Sequence, residues 1–276
     1  MSREHQNGER SSDSLPSHGP PSPSVWAGEY RVRRDEIDPD GRLTVPSLLK
    51  YLQDAAAHHA SVLGASIEDL ESRGQAWVMR TVRLAVTTLP AWGAVLRITT
   101  WPSGSDGLRV FRDYSVEDSE GTELARADSA WLIIDRQRRK PARLPQEWRA
   151  SPVSSDRAFA DRPKNPARED PLEQLTELTV EPWDTDFNGH VNHVRYVEWL
   201  LTPRPSEPSD RRLVSLLVQF EKEAVSGDRI QLYRPKAARD PDQCADYFEV
   251  RRSDGALILS AEACREGCRS PGRDQS

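Results

Sequence analysis

The sequence predicts an α+β protein made of two copies of one unit, each a helix followed by antiparallel strands. In each half, a segment with helical periodicity precedes runs of alternating apolar and polar residues that end at turn residues. In addition, five residues of the first half recur as the same or a similar type 134 positions later (227 minus 93 for the first pair): Gly93, Tyr114, Val116, Gly121 and Ala127 recur as Gly227, Phe248, Val250, Gly255 and Ala261. A helix wrapped by an antiparallel sheet is the layered arrangement that this order favours.

The first copy begins with a predicted strand at 30–34, in which apolar and basic residues alternate, and a turn at 38–41. A helix is predicted over 44–63, because its apolar residues recur on one face. Thr44 is a suitable N-cap for this helix, and Gly64 is a suitable terminator. The helix is therefore expected to bury one face against the sheet.

A short second helix is predicted between Ser66, whose spacing to Asp69 resembles a capping box, and Gly74. Strands then dominate, and each is bounded by turn residues. The four predicted strands of the first copy are Trp77–Thr88, Val95–Trp101, Arg109–Asp118 and Thr122–Asp135.

The second copy repeats the turn and the helix. Asp184-x-Asp186 parallels Asp38-x-Asp40 at a spacing of 146 (184 minus 38), which is about a dozen more than the spacing of the strands. The extra residues of the first copy match the short helix at 66–73. Pro203 is expected to stop the second long helix, and a strand is predicted over 216–224.

These patterns divide the chain into five segments. The terminal segments and the linker are rich in Ser, Pro or charged residues and have little to bury. The predicted segments are a disordered tail at 1–25, an N-terminal copy at 26–150, a linker at 151–172, a C-terminal copy at 173–268 and a tail at 269–276.

Composition limits the classes of function. The 276 residues include 36% hydrophobic residues and eight Trp, which is enough for a real core, and the net charge of −6 argues against nucleic acid as a partner. No run approaches the roughly 18 apolar residues of a membrane span. The first residues lack the apolar core of a signal peptide, and Glu4, Glu9 and Asp13 are atypical of a plastid transit peptide. We therefore expect a cytoplasmic protein with no membrane span.

The chain has three cysteines, Cys244, Cys264 and Cys268, and they show no Cys-x-x-Cys spacing. This number and spacing disfavour both a disulfide scaffold and structural zinc. We expect no metal site and no cofactor.

Asp186, Asn188 and His190 stand at alternate positions of a Gly-containing turn that leads into an apolar helix. A carboxylate can hold a proton or a water, an amide can donate to a carbonyl oxygen, and an imidazole exchanges protons near neutral pH. Backbone N–H groups at a helix start would add to the stabilisation of an oxyanion. The same residues also suit a plain turn that caps a helix, so the motif alone leaves both interpretations open.

The motif Asp-x-Asp-x-Asn-x-His-Val-Asn at 184–192, followed by Tyr196 and Trp199, resembles the active-site segment of the acyl-acyl carrier protein (acyl-ACP) thioesterases, which have a double hot-dog fold. The resemblance runs through most of residues 30–233 in the family's order. Its other segments are 48–56, 75–82, 92–93, 100–104, 112–114 and 131–135.

The resemblance implies tandem hot-dog domains that hydrolyse the thioester of a fatty acyl-ACP and so end fatty acid synthesis. It implies four catalytic residues: Asp186, Asn188, His190 and Glu223. Ala224 stands where many plant members have a cysteine, so a thiolate mechanism is excluded at this position. Attack by an activated water and attack by a carboxylate both stay open.

The first copy has Gly41 and Arg42 at the corresponding turn, with neither an amide nor an imidazole. We therefore expect the first copy to shape the acyl pocket and the second to carry the chemistry. Glu221 shares the strand face of Glu223, but a solvated charge at a strand edge is the simpler interpretation, and it is left out of the site.

Trp77 is assigned to the pocket wall because its segment resembles the family, whereas Trp101 is expected in the core. His58 and His59 are expected on the helix surface, although one of them could line the pocket mouth. His193 departs from the family's second Asn and is compatible with a surface position.

The densest basic run, 135–143, lies in an otherwise acidic protein. It suits a solvated hairpin loop, or, by the resemblance, a docking surface for acidic ACP and its phosphopantetheine phosphate. On the second interpretation Arg138 and Arg139 bind the substrate.

Two other functions remain possible from the sequence, namely an acyl-CoA thioesterase on the same fold and a non-catalytic acyl-binding module. The combination of Asn188, His190 and Glu223 argues against the second. Acyl chain length and the choice between monomer and homodimer stay open, because both depend on packing details.

Overall fold

The computed structural model describes residues 24–149, 153–202, 212–236 and 245–266. Nearly all of the predicted tail at 1–25 and all of the tail at 269–276 lie outside these ranges, as do Cys244, Cys268 and Pro203.

The described residues form four α-helices and eleven β-strands, with two 3₁₀ turns at Arg34–Glu36 and Pro182–Asp184. The helices are α1 (Val45–Val62), α2 (Ile67–Glu71), α3 (Gln146–Arg149) and α4 (His193–Leu201). The strands are β1 (Trp26–Arg31), β2 (Gln75–Val86), β3 (Val95–Ser105), β4 (Arg109–Glu117), β5 (Glu123–Asp135), β6 (Lys140–Ala142), β7 (Leu172–Thr179), β8 (Leu213–Phe220), β9 (Arg229–Pro235), β10 (Ala245–Arg252) and β11 (Leu257–Arg265).

All eleven strands belong to one antiparallel sheet, in the order β1-β3-β4-β5-β2-β8-β11-β10-β9-β7, with β6 paired to β5. The two copies join where β2 pairs with β8, from Thr81 opposite Gln219 to Ala85 opposite Ser215. Helices α1 and α4 pack against each other and contribute to one core, so the α+β fold class is confirmed.

The predicted repeat of the strands is confirmed by their register. Tyr114 pairs with Ala127 in the first copy, and Phe248 pairs with Ala261 in the second. The repeated glycines also share a conformation, since Gly93 and Gly227 have φ angles of 82° and 89°. Such positive φ angles favour glycine over other residues.

The turn before each helix repeats at a spacing of 148 (190 minus 42), not at the predicted 146. The main-chain N–H of Asp38 donates to the oxygen of Arg42 at 2.8 Å, and that of Asp186 donates to the oxygen of His190 at 2.8 Å. Arg42 forms a bridge with Ala91, as His190 does with Val225. Matching aspartates by sequence alone missed this, because hydrogen bonds define the turn.

The helix starts follow local side-chain chemistry. Thr44 caps α1 and accepts a hydrogen bond from the N–H of Ser47, and Ser66 and Asp69 form the capping box of α2. The first strand was predicted incorrectly. β1 runs from Trp26 to Arg31, and the 3₁₀ turn at Arg34–Glu36 occupies the end of the predicted segment.

The core lies between the long helices and the concave face of the sheet. Helix α1 buries one face, which includes Leu48, Leu49, Leu52 and Ala55. Within the described ranges, no helix is both long and apolar enough to cross a membrane.

Candidate active site

The turn at 186–190 is held rigidly by its own hydrogen bonds. The Asp186 carboxylate accepts from the N–H of Asn188 at 2.8 Å, and the Asp186 carbonyl accepts from the N–H of Gly189 at 2.9 Å. Gly189 has a φ of 77°, which explains the glycine at this position. Asp186 therefore shapes the turn that presents Asn188 and His190.

A second set of contacts brings this turn to the end of β8. The N–H of Val191 donates to the oxygen of Ala224 at 2.9 Å, and His190 bridges Val225. The His190 imidazole consequently lies beside Glu223, with 3.3 Å between Nε2 and Oε2.

Glu223 has a second partner from the first copy. Nη2 of Arg139 donates to the same Oε2 at 2.7 Å. Oε1 of Glu223 has no hydrogen-bond partner among the residues that the structure describes. Oε2 is thus held by the Arg139 guanidinium and lies within ion-pair distance of the His190 imidazole, and Oε1 remains able to accept from a bound molecule.

Asn188 is half-buried, and its side-chain amide has no hydrogen-bond partner within the described ranges. Near the helix start, by contrast, backbone donors are already engaged: Asn192 accepts from the N–H groups of Val194 and Arg195 at 2.9 Å each. The Asn188 side chain is therefore a better placed donor to an incoming oxygen than these two groups.

All four predicted catalytic residues line a single cavity of about 1030 Å³. Both copies build its wall. The larger apolar and aromatic side chains on it include Trp77, Met79, Phe111, Trp131, His193 and Phe220.

Trp77, assigned to the pocket wall, lies on this cavity, and its indole N–H donates to the oxygen of Ala65 at 2.9 Å. Trp101 binds the oxygen of Asp156 and is not on the cavity wall. Arg139 is on the wall, whereas Arg138 is not; its side chain is 81% exposed and lies 3.7 Å from Asp135.

Glu221 is exposed, as the sequence predicted, but the prediction missed its place on the cavity wall. It lines the same cavity and accepts from Arg80 at 2.9 Å and from Gln219 at 2.6 Å. Burial alone would raise the pKa of Glu221, but these hydrogen bonds outweigh it, so the pKa lies below its ordinary value. Arg80 sits at the irregularity in the pairing of β2 with β5, a feature that the sequence did not reveal.

The three helix histidines differ in position: His59 is buried, contrary to the prediction, whereas His58 is exposed, as predicted, and His193 is half-buried. His59 is fully buried, and its Nδ1 lies 3.1 Å from Nη1 of Arg112. His58 stacks on Trp26 and lines the cavity. His193 is on the cavity wall, edge-on to Phe220, and burial lowers its pKa to about 4.

Cys264 is buried on β11 and is not on the cavity wall, and Ala224 is also buried. In the part of the chain that the structure describes, no three or more His, Cys, Asp or Glu side chains are grouped to hold a metal ion.

Two family models match the chain. The model of the acyl-ACP thioesterase N-terminal domain matches residues 23–151, and that of the C-terminal domain matches residues 168–264.

Curated relatives include two chloroplastic palmitoyl-acyl carrier protein thioesterases. The protein from Cuphea hookeriana is 29% identical over 261 residues, with 85% of this chain and 60% of the relative covered. The protein from Arabidopsis thaliana is 28% identical over 258 residues, with 85% and 62% covered. The chain thus spans about 60% of the length of these relatives.

Solved structures share the whole fold. An acyl-ACP thioesterase from Bacteroides thetaiotaomicron aligns with a TM-score of 0.77 at 22% identity, covering 88% of this chain and 98% of that one. The 12:0-ACP thioesterase from Umbellularia californica aligns with a TM-score of 0.75 at 21% identity, covering 88% and 97%. The fold is therefore the double hot dog, and the sequence matches over both copies establish that the chain belongs to the acyl-ACP thioesterase family.

Proposed function

We propose that the protein hydrolyses the thioester of a fatty acyl-ACP and releases a free fatty acid and holo-ACP, thereby ending fatty acid synthesis. The observation that carries the proposal is the convergence of Asn188, His190 and Glu223 on one wall of a large, mainly apolar cavity. Family membership and the names of the curated relatives support the same reaction.

In this proposal the acyl chain occupies the cavity and its thioester carbonyl lies at the turn. The Asn188 amide donates to the carbonyl oxygen and stabilises the negative charge that develops there. Glu223 accepts a proton from water through Oε1, while His190 and Arg139 hold Oε2. The water oxygen bonds to the carbonyl carbon, the carbon–sulfur bond breaks, and the proton passes to the sulfur through Glu223 or His190.

The route above takes water as the nucleophile, and direct attack by the Glu223 carboxylate is the alternative. The hydrogen bond from Arg139 to Oε2 lowers the basicity and the nucleophilicity of this carboxylate alike, and Ala224 offers no other nucleophile. Turnover in water labelled with ¹⁸O tests the choice. Direct attack by Glu223 would leave label in the Glu223 side chain after several turnovers, and water attack would label only the fatty acid.

The two copies have different roles in this proposal. At the positions equivalent to Asn188, His190 and Glu223, the first copy has Asp40, Arg42 and Leu89 (223 minus 134 gives the last). A leucine cannot act as a base and an arginine stays protonated, so the equivalent corner of the first copy lacks the chemistry. We propose that the N-terminal copy, 26–150, forms most of the acyl pocket, that 151–172 links the copies, and that the C-terminal copy, 173–268, is catalytic.

The carrier is proposed to be ACP because Arg138 and Lys140 are exposed on the hairpin whose Arg139 reaches the site. A positive surface next to the cavity suits an acidic carrier protein. Acyl-CoA hydrolysis is the alternative, which the same residues could perform. A cytoplasmic location stays a prediction, since the curated relatives are chloroplastic.

The test measures release of fatty acid from a panel of acyl-ACP and acyl-CoA thioesters by the purified protein and by Glu223→Gln. A general base contributes about 10²- to 10⁴-fold, so Glu223→Gln is expected to lower kcat by that amount while KM changes little. A folded Glu223→Gln protein with wild-type kcat would overturn the assignment. A wild-type preference for CoA over ACP would favour the alternative carrier.

A further inference from the structure

Arg112 on β4 is half-buried and presents its guanidinium to the cavity, in the half of the protein that carries none of the proposed catalytic residues. Its Nη1 lies 3.1 Å from Nδ1 of His59 and donates to Oγ1 of Thr100 at 3.2 Å. Neither partner is a carboxylate. A guanidinium has five N–H groups, and neither Nε nor Nη2 has an acceptor within the described ranges.

Two other arginines on the sheet, Arg83 and Arg80, have acidic partners. Arg83 binds Asp128 at 2.8 Å, and Arg80 binds Glu221 at 2.9 Å. Arg112 has no carboxylate within ion-pair distance in the described part of the chain, and its neighbour Asp113 points to the opposite face of the strand, where Arg162 pairs with it. A cation against a mainly apolar wall without a counter-ion is unfavourable, and its partial desolvation lowers the pKa of Arg112.

An unpaired charge that destabilises the free protein is typical of a binding site, where the ligand supplies the missing partner. The cavity around Arg112 is otherwise mainly apolar, with Val110, Phe111 and Trp131 beside it. Such a wall binds an alkyl chain, and the guanidinium fits a planar anionic group at the end of that chain.

The position of Arg112 sets the length of such a chain. Strand β4 is separated from β8, the strand that leads to Glu223, by β5 and β2, so three strand spacings lie between them. At about 4.8 Å per spacing the lateral separation is roughly 14 Å. Arg112 is in register with Val218 of β8 through Ser129 and Val82, and Glu223 lies five residues beyond Val218 (223 minus 218), which adds roughly 16 Å along the strand direction. The two offsets combine to roughly 22 Å, and an extended chain that advances about 1.2 Å per single bond spans this distance with about eighteen bonds.

We propose that Arg112 binds a hydrogen-bond-accepting group, best a carboxylate, at the far end of an acyl chain in this cavity, so that the protein accepts ω-carboxylated long-chain acyl thioesters. The inference rests on the proposed function for its reaction. It adds the class of acyl group that the cavity recognises.

The first arm of the test compares hydrolysis of octadecanoyl-ACP and 17-carboxyheptadecanoyl-ACP by the wild type and by Arg112→Met. Hydrogen bonds to a charged group are each worth enough to change affinity about tenfold to a hundredfold. We expect Arg112→Met to lower kcat/KM for the carboxylated substrate by at least about tenfold. Hydrolysis of the substrate without the terminal carboxylate should be unchanged or faster, because the cavity wall at position 112 becomes apolar.

Arg126→Met is the matched control. Arg126 is an exposed arginine on β5, the strand next to β4, and does not line the cavity. Arg126→Met should leave the ratio of kcat/KM for the two substrates at the wild-type value. An equal loss on both substrates in Arg112→Met, or no loss on either, overturns the proposal.

Thermal unfolding separates binding from a structural role. Methionine in place of an unpaired charge on a mainly apolar wall should leave Tm unchanged or raise it. If Arg112→Met does not fold, Arg112→Lys keeps the charge but loses the planar fork, and it should lower selectivity for the carboxylated substrate without abolishing it. A fully folded Arg112→Lys with unchanged selectivity also counts against the proposal.

The second arm measures binding without chemistry. Calorimetry with non-hydrolysable amide analogues of the two acyl-pantetheines should show that the carboxylated analogue binds the wild type at least about tenfold more tightly than it binds Arg112→Met. If neither acyl-ACP is hydrolysed but this difference is found, the proposed function fails and the assignment of Arg112 stands. If both substrates are hydrolysed and the two analogues show no such difference, the proposed function stands and the assignment of Arg112 fails.

Discussion

Arg139 of the first copy donates a hydrogen bond to Glu223 of the second, with 2.7 Å between Nη2 and Oε2. Arg139 belongs to the turn between β5 and β6 and has a φ of 50°, an uncommon conformation for a residue other than glycine. His190 approaches the same oxygen at 3.3 Å. A residue that the sequence assigned to docking thus holds the proposed catalytic base from the opposite copy.

The first prediction concerns this contact. Arg139 is 71% exposed, so the ion pair should contribute only about 0–1 kcal/mol to stability, and Arg139→Met should fold normally. Because Oε2 of Glu223 then loses a positioning donor, we expect kcat to fall about tenfold with little change in KM. Steady-state kinetics on a pantetheine thioester, which avoids any effect on carrier docking, checks this.

Two variants control for loss of charge. Arg138→Met removes a guanidinium from the same turn but not from the cavity, so its kcat should stay at the wild-type value. Arg139→Lys should recover part of the lost turnover because it keeps a donor cation. Equal kinetics for Arg138→Met and Arg139→Met would show that the contact has no role in catalysis.

The second prediction uses the internal repeat as a control. If Asn188 stabilises the oxyanion, Asn188→Ala should lower kcat by roughly 10²-fold or more. Asp40 occupies the equivalent place in the first copy and is exposed. Asp40→Ala should therefore leave kcat unchanged. Wild-type turnover in a folded Asn188→Ala protein would remove this amide from the site.

The predictable features were those fixed by nearby residues. The caps of α1 and α2 depend on partners three residues apart, Thr44 with Ser47 and Ser66 with Asp69, and the sequence contains both members of each pair side by side. The strand repeat was predictable because β-structure imposes the same glycines and the same alternation in both copies.

The features that the sequence did not predict depend on distant contacts. Arg139 and Glu223 are 84 residues apart and meet only because β2 joins the two copies. The place of Glu221 on the cavity wall was missed because its partner Arg80 lies 141 residues away, at an irregular position that alternation does not reveal. His193 is half-buried because it lies on the cavity wall, edge-on to Phe220 of β8.

The third prediction is that catalysis needs no cysteine. Ala224 occupies the position of the family's cysteine, and Cys264 is buried on β11 away from the cavity wall. Replacing Cys244, Cys264 and Cys268 together by alanine should keep kcat within about twofold, and alanine avoids burying a serine hydroxyl at 264. Iodoacetamide should not inactivate the enzyme. Rapid inactivation without unfolding would contradict a cysteine-free mechanism.

The fourth prediction follows from His193, whose pKa of about 4 lies below the ordinary value of 6.5 because of burial. Below pH 6.5 the unfolded chain binds a proton at this imidazole that the folded chain does not bind, so stability falls as the pH falls from 6.5 towards 4. Between pH 7 and pH 5 this should remove about 2 kcal/mol from the free energy of unfolding.

Urea unfolding of the wild type and of His193→Asn at pH 7 and pH 5 measures this contribution, because asparagine does not titrate. The fall in stability should be smaller in His193→Asn by about 2 kcal/mol. The control is His58→Asn, since His58 is exposed. Between pH 7 and pH 5 the free energy of unfolding of His58→Asn should fall by the same amount as that of the wild type, within about 0.5 kcal/mol. The same pH dependence in all three proteins would mean that His193 titrates normally.

The last prediction concerns docking of the carrier. Arg139 is unsuitable for this test because it contacts Glu223, and Arg136 binds Glu71 at 2.9 Å. The exposed charges that remain on the hairpin are Arg138 and Lys140. Reversal of both to Glu should raise KM for acyl-ACP about three- to tenfold at low salt, because two attractive surface charges become repulsive.

Ionic strength and substrate size separate docking from structure. The effect on acyl-ACP should shrink as added salt screens the charges, and a pantetheine thioester of the same acyl group should show the wild-type KM at every salt concentration. Arg97→Glu, an exposed reversal on β3 far from the hairpin in the sheet order, should leave KM for acyl-ACP unchanged. If the hairpin variant impaired both substrates equally, the hairpin would act by holding Arg139 over Glu223, and the carrier would have to dock elsewhere.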